Sequence, residues 1–269
     1  MVTIYQDYSD EPEDIFLPIP EDLICEFYAL EMDGFTEDID FFEGLLPRHG
    51  TFLELGCGTG RIAQKLAKIE PADRLIIGID ISIPMLRLAS QRKQPSEYCP
   101  GYICMDMAQL AFSTHFDAIL IPYNTLNLLH AENKIAECLE SCRRSLKPGG
   151  ILLVQLFIPT EDFIRQQKTF QFQMFDRPEG GKIIKELIKQ YDPQSQSIRI
   201  EERYRVRSMQ AAQAREDWNS VYSVAGFPAD NWLSLFSKAG FTTTNTYGDY
   251  SGSQYHKSSS SILIASLTL

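Results

Sequence analysis

The segment Phe52-Leu-Glu54-Leu-Gly56-Cys-Gly58-Thr-Gly60-Arg61 places three glycines in five residues between an apolar run and a helical pattern. Residues 51–55 suit a buried strand. In residues 61–69 the apolar positions Ile62, Leu66 and Ile69 recur at the spacing of one helix face. The glycines therefore occupy a strand-to-helix turn, where Gly56, Gly58 and Gly60 allow positive φ and close approach of the backbone to a ligand. The free N–H groups of a helix start would point at that ligand, which implies an anion or a polar small molecule.

Of two familiar glycine loops, one fails on the residues and the other fits them poorly. A phosphate-binding loop ends in Gly-Lys-Ser/Thr, whereas here Gly60 precedes Arg61 and Ile62. A dinucleotide fingerprint places its third glycine where Arg61 stands. The spacing E-x-G-x-G-x-G, with Glu54 at its head, resembles motif I of the class I S-adenosylmethionine (SAM) dependent methyltransferases. A merely structural glycine turn is the alternative.

Around the motif, strand and helix patterns alternate in βαβα order. Strands are expected at 52–55, 75–80, 101–105, 116–121 and 151–157, the last after a Lys147-Pro-Gly-Gly150 turn. Helices are expected at 61–69, 83–91 and 132–146, preceded by two more at 23–30 and 38–46. The fold class is thus α/β, a Rossmann-like, doubly wound, seven-stranded sheet, mostly parallel, with an antiparallel C-terminal hairpin at 241–247 and 260–267. A helix at 228–239 precedes the hairpin. Between core and tail, residues 170–175, 182–191 and 197–206 are separated by turn signals and read as an antiparallel β insertion. Residues 182–191 also fit a helix face, and the flanking turns favour strand. The expected divisions are an N-terminal helical cap at 1–50, a cofactor-binding core at 51–157, the insertion at 158–226 and the closing helix and hairpin at 227–269.

Further residues match the family pattern in order. Asp80 ends the second strand 20 residues after Gly60, where an acid accepts from ribose hydroxyls. Its alternative role is a helix cap, which Ser82 before Pro84 already supplies, leaving Asp80 freer for a ligand. The segment from Asp80 to Ala89 resembles D-x-S-x-x-M-L-x-x-A, and the resemblance implies that Ile81 and Met85 pack against adenine. It likewise implies that Asp106 accepts from the adenine amine, that Met107 contacts the ring, and that Pro122, ending the fourth strand, borders the cofactor.

On the acceptor side, Asn124-Thr-Leu-Asn-Leu-Leu129 looks like a stretch of the glycine and amino-sugar N-methyltransferases, which makes Asn124 the favoured catalytic residue. Capping a helix is its other possible role. Tyr28 resembles an N-terminal tyrosine that closes over the cofactor in these families, with a half-buried helix tyrosine as the alternative. Arg61 is expected as an exposed first-turn arginine, with contact to the methionyl carboxylate as the other reading. Arg203, Arg205 and Arg207 are expected on solvated strand faces. Of the four histidines, His130 alone is a candidate base.

The resemblance implies a methyltransferase that takes SAM, releases S-adenosylhomocysteine and acts on a small molecule, more often at nitrogen. A SAM-binding regulatory or scaffold protein is the rival. The net charge of −11, with acids crowded between Asp7 and Asp40, disfavours nucleic acid and anionic membranes. No targeting or spanning run is present, so a cytoplasmic protein is expected. The six cysteines form no metal-like spacing, so no metal centre is expected. Exposed insertion strands offer edges for a homodimer.

Overall fold

A computed structural model describes residues 16–68, 74–92, 99–113, 115–207, 216–257 and 261–269. Residues before Ile15, together with Ile69 and residues 258–260, fall outside it, and so do the expectations placed on them.

The chain opens with a short strand, β1 (Leu17–Pro18), and two helices, α1 (Glu21–Met32) and α2 (Glu37–Leu45). The alternation then follows the sequence closely: β2 (Gly50–Leu55), α3 (Arg61–Leu66), β3 (Arg74–Asp80), α4 (Ile83–Gln91), β4 (Gly101–Cys104), β5 (Phe116–Ile121), α5 (Glu132–Ser145) and β6 (Leu146–Phe157). After α6 (Glu161–Gln166) come β7 (Lys168–Asp176), β8 (Lys182–Asp192), β9 (Ser197–Arg207) and β10 (Glu216–Ala225). Helix α7 (Ala229–Lys238) and strands β11 (Thr242–Tyr247) and β12 (Ile262–Thr268) close the chain.

Seven strands form the main sheet in the order β11-β12-β6-β5-β2-β3-β4. β6, β5, β2, β3 and β4 run parallel, and β12 pairs antiparallel with both β6 and β11. Its central strands are buried on both faces, and alternate residues serve opposite cores. Leu53, Leu55, Ile119 and Ile121 pack with α5 and α7, whereas Phe52, Ala118 and Leu120 pack with α2 and α3. The strand ends, where a ligand of a doubly wound sheet sits, are thereby held rigidly.

The Lys147-Pro-Gly-Gly150 segment is a correction. It lies within β6, and the pairing of β5 with β6 jumps from Phe116↔Leu146 to Ala118↔Ile151. Gly149, at φ 78°, absorbs the irregularity as a bulge.

The insertion is larger than the sequence pattern suggested. It is a five-stranded sheet in the order β1-β10-β9-β8-β7, with β1 parallel to β10 and the rest antiparallel. Residues 182–191 are strand, as their turns implied. Side chains at alternate positions of β8, β9 and β10 form one face turned toward the rest of the molecule. One end of that face packs Ile183, Tyr204 and Val206 against Phe27 of α1. The other packs Tyr191, Ile198 and Val224 against Phe163 of α6. The middle of the face borders a cavity.

Candidate functional site

This cavity, of about 620 Å³, runs from the glycine turn to the middle of that face. Its volume lies in the range of small-molecule sites. Glu54, Gly56, Gly58, Asp80, Met85, Pro122, Tyr28 and Asn124 all line it. Gly60, Ile81, Asp106 and Met107 are not among its lining residues.

The glycine turn is built from the residues upward. Gly56, Gly58 and Gly60 have φ of 66°, 53° and 72°. A Cβ on Gly60 would stand 2.4 Å from the Tyr102 hydroxyl, so Gly60 supports the turn from behind the cavity. A Cβ on Gly58 would point between Tyr28 and Met85, on the ligand side. Helix α3 starts at Gly60, which has no side chain to cap it. Glu54 supplies the cap from the neighbouring strand, its Oε2 accepting from Ala63 N at 2.9 Å. Burial pushes the Glu54 carboxyl up to about 8, against the opposing effects of the Ala63 N–H and Arg61.

Asp80 is not free for a ligand in the way its sequence position implied. Its Oδ2 accepts from Gly58 N at 2.8 Å and its Oδ1 from Ser82 N at 2.8 Å. The carboxylate thus braces the turn, and Ser82 caps α4 through Met85 N. Each oxygen keeps lone-pair capacity toward the cavity. Asp106 has a similar local bond, Oδ1 accepting from Ala108 N at 2.8 Å. Met107 packs against the core, while Ile81 is 73% exposed immediately after Asp80.

Arg61 is buried rather than exposed. Its guanidinium grips the buried Asp38 with two hydrogen bonds of 2.8 and 2.5 Å and donates to Phe35 O at 2.7 Å. Burial disfavours the Arg61 charge, but Asp38 outweighs that and raises its pKa. The pair fixes α2 against the start of α3. Tyr28 hangs from α1 above the turn, and burial raises its pKa well above the usual tyrosine range despite Arg61 nearby. Its hydroxyl therefore stays protonated at neutral pH, with a proton available to donate.

At the end of β5, Tyr123 and Asn124 both have positive φ, 47° and 62°. Two consecutive non-glycine residues in this region are costly and need support. Gln155 Oε1 receives Tyr123 N at 3.1 Å. The following turn is anchored by Asn127, which donates from Nδ2 to Phe157 O and Ala225 O and accepts from Phe157 N. Asn124 precedes the turn at Thr125–Leu128 without making a cap bond. Its Oδ1 is buried and has no hydrogen-bond partner.

The far wall is built from an N-terminal helix and the insertion, the parts from which an acceptor pocket is expected, but none of its residues was singled out by the sequence. Glu31 of α1 and Lys185, Leu187, Lys189, Glu202, Tyr204 and Tyr222 of the insertion sheet line it. Lys185 Nζ meets Glu31 at 2.7 Å and Glu202 at 2.9 Å, and the Tyr204 hydroxyl donates to Glu202 at 3.0 Å. A signal existed in β9: Ile198, Ile200, Glu202, Tyr204 and Val206 share one face, so Glu202 is an acid in an apolar register. Arg203, Arg205 and Arg207 lie on the opposite face and pair with Glu201, Glu186 and Asp217. None lines the cavity. His130 is exposed, and no histidine is on the cavity wall. Among the described residues no cluster suited to a metal ion occurs, and no helix is long and apolar enough to cross a membrane.

Residues 52–150 match the family model of a methyltransferase domain. The Bacillus subtilis strain 168 protein YqeM, named as a methyltransferase, is 38% identical over 114 residues, covering 42% of this chain and 44% of that protein. The ubiquinone/menaquinone biosynthesis C-methyltransferase UbiE of Stutzerimonas stutzeri is 29% identical over 159 residues, covering 57% of this chain and 60% of its own. The chain thus spans about half the length of the curated relatives it matches. A SAM-bound amino pentose methyltransferase from Micromonospora echinaspora superposes with a TM-score of 0.70 at 18% identity, covering 95% of this chain and 99% of the other. That likeness extends to the insertion and tail. The core thus matches a methyltransferase domain, and the chain as a whole shares its fold with that solved methyltransferase.

Proposed function

We propose that the chain is a SAM-dependent methyltransferase acting on a small molecule, with nitrogen the favoured acceptor atom. The observation that carries this is one continuous cavity joining the glycine turn to Asn124 and the insertion sheet. A cofactor on the turn and an acceptor against the sheet would meet within it.

The residues present suit the cofactor. The lone pairs left on Asp80 would receive ribose hydroxyls, and exposed Ile81 offers adenine an apolar surface beside them. Gly58 leaves the backbone open under Tyr28 and Met85. SAM supplies a methyl group on a sulfonium, and its transfer is an in-line displacement that alignment and exclusion of water accelerate.

The chain's own contribution is therefore positional. Tyr28, a donor held over the turn, closes one side of the path. The unpartnered Asn124 Oδ1 needs a donor, and an acceptor N–H meets that need. An alcohol or phenol would require a base. No histidine faces the cavity, and burial holds the Tyr28 and Tyr123 hydroxyls above their usual pKa. These features favour an amine that arrives unprotonated, whereas the relative UbiE is named as a C-methyltransferase.

The test is transfer of labelled methyl from SAM to a library of small amines, followed by Asn124→Gly and Tyr28→Phe on any acceptor found. Glycine tolerates φ 62°, so Asn124→Gly removes the amide without straining the backbone. Turnover should fall about tenfold or more while SAM affinity changes little. Unchanged turnover in both variants would place the acceptor elsewhere.

A further inference from the structure

The two lysines that the cavity shares with β8 are not equivalent. Lys185 is buried and held between Glu31 and Glu202, so its charge is spent within the fold. Lys189 lies four residues along the same face, and its Nζ stands 4.7 Å from the centre of the Phe157 ring. Among the described residues it has no ion pair and no side-chain hydrogen bond.

The neighbouring triad does not serve as its counter-ion. Burial is the largest influence on Lys189 and lowers its pKa. Repulsion from Lys185 comes next and exceeds the attraction of Glu202. A cation in this position is desolvated on one side by an aromatic ring, repelled by its neighbour, and turned toward an open cavity. Such a charge gains most from an anion that enters with a ligand.

The surrounding wall limits what that anion can be. Leu187, Ile200 and Tyr222 flank Lys189 on the cavity face and offer apolar surface. Glu202 and Glu31 stand further along the same wall and would repel a dianion. A single ammonium among apolar groups suits a monoanionic carboxylate on an apolar skeleton better than a phosphate.

We propose that Lys189 is a specificity-determining residue whose ammonium receives the carboxylate of the acceptor, so that the substrates of this site are organic acids with an apolar body. The proposal rests on the methyltransferase reading for the identity of the ligand as acceptor. The anion site itself follows from the wall alone.

The experiment uses the full chain saturated with S-adenosylhomocysteine and two probes of nearly equal shape, phenylacetate and phenylacetamide. Titration calorimetry, or ligand-observed nuclear magnetic resonance for weak binding, compares their affinities in wild type, Lys189→Met and Lys189→Arg. Wild type should prefer the acid by about tenfold or more, the scale of a charge-assisted hydrogen bond. Lys189→Met should lose that preference with its S-adenosylhomocysteine affinity intact, and Lys189→Arg should keep most of it. Equal affinity for acid and amide in wild type overturns the proposal. So does a preference that survives in Lys189→Met, or absence of acid binding at the highest soluble concentration. A separate titration with S-adenosylhomocysteine tells the two readings apart: if it fails while the acid preference holds, methyl transfer falls and the anion site stands.

Discussion

Replacing Asp80 by alanine should weaken the protein before any ligand is added. The carboxylate accepts two backbone hydrogen bonds of 2.8 Å, one from Gly58 in the turn and one from Ser82 at the start of α4. Asp80 is half-buried, so water replaces part of what is lost and each bond is worth about 1 kcal/mol net. The sum is about 2 kcal/mol, which for a chain of this size corresponds to a fall in Tm of roughly 4–8 °C. Asp80→Asn keeps one acceptor oxygen and should lose about half as much. Urea denaturation of the cofactor-free protein measures the effect, and titration with SAM then measures the ligand's share separately. If cofactor-free Asp80→Ala is as stable as wild type while SAM affinity falls, Asp80 is a ligand anchor alone and the bracing role is wrong.

Two other perturbations follow from the same geometry. Glu54 has a folded-state pKa raised from 4.5 to about 8, so its contribution to stability is complete below pH 4.5 and is lost as pH rises through about 8. Glu54→Gln keeps an acceptor for Ala63 N, so urea denaturation at the two ends of that window should show a shallower decline than in wild type; identical slopes would contradict this. Asn127→Ala removes three bonds that tie the Thr125–Leu128 turn to Phe157 and Ala225, and should cost about 3 kcal/mol by the same assay, with a loss under about 1 kcal/mol counting against its anchoring role.

The core was legible because its signals are local and redundant. Buried parallel strands show as apolar runs, and Ser82-Ile-Pro84 or the glycines between Leu55 and Arg61 mark the helix starts. The insertion was less so. β10 was missed because the segment Trp218-Asn-Ser-Val-Tyr222 lacks apolar alternation, and its polar centre is where it borders the cavity. β1 has two residues and is defined by its pairing to β10 alone. Arg61 was misjudged because its partner, Asp38, lies 23 residues earlier, beyond the reach of local patterning. Asp80 was located correctly and its burden underestimated, since a backbone N–H 22 residues away leaves no mark on the sequence. The acceptor wall depends on which face of the insertion sheet turns inward. Register alone gives the alternation, and packing against α1 and α6 selects the face.

The most direct measurement is calorimetric titration of the purified chain with SAM and, separately, with S-adenosylhomocysteine. The cavity above the glycine turn predicts saturable binding of both at one site per chain, weakened in Asp80→Ala and little changed in Asn124→Gly. No heat of binding for either compound, with the protein folded by circular dichroism, would contradict the assignment of this cavity to SAM.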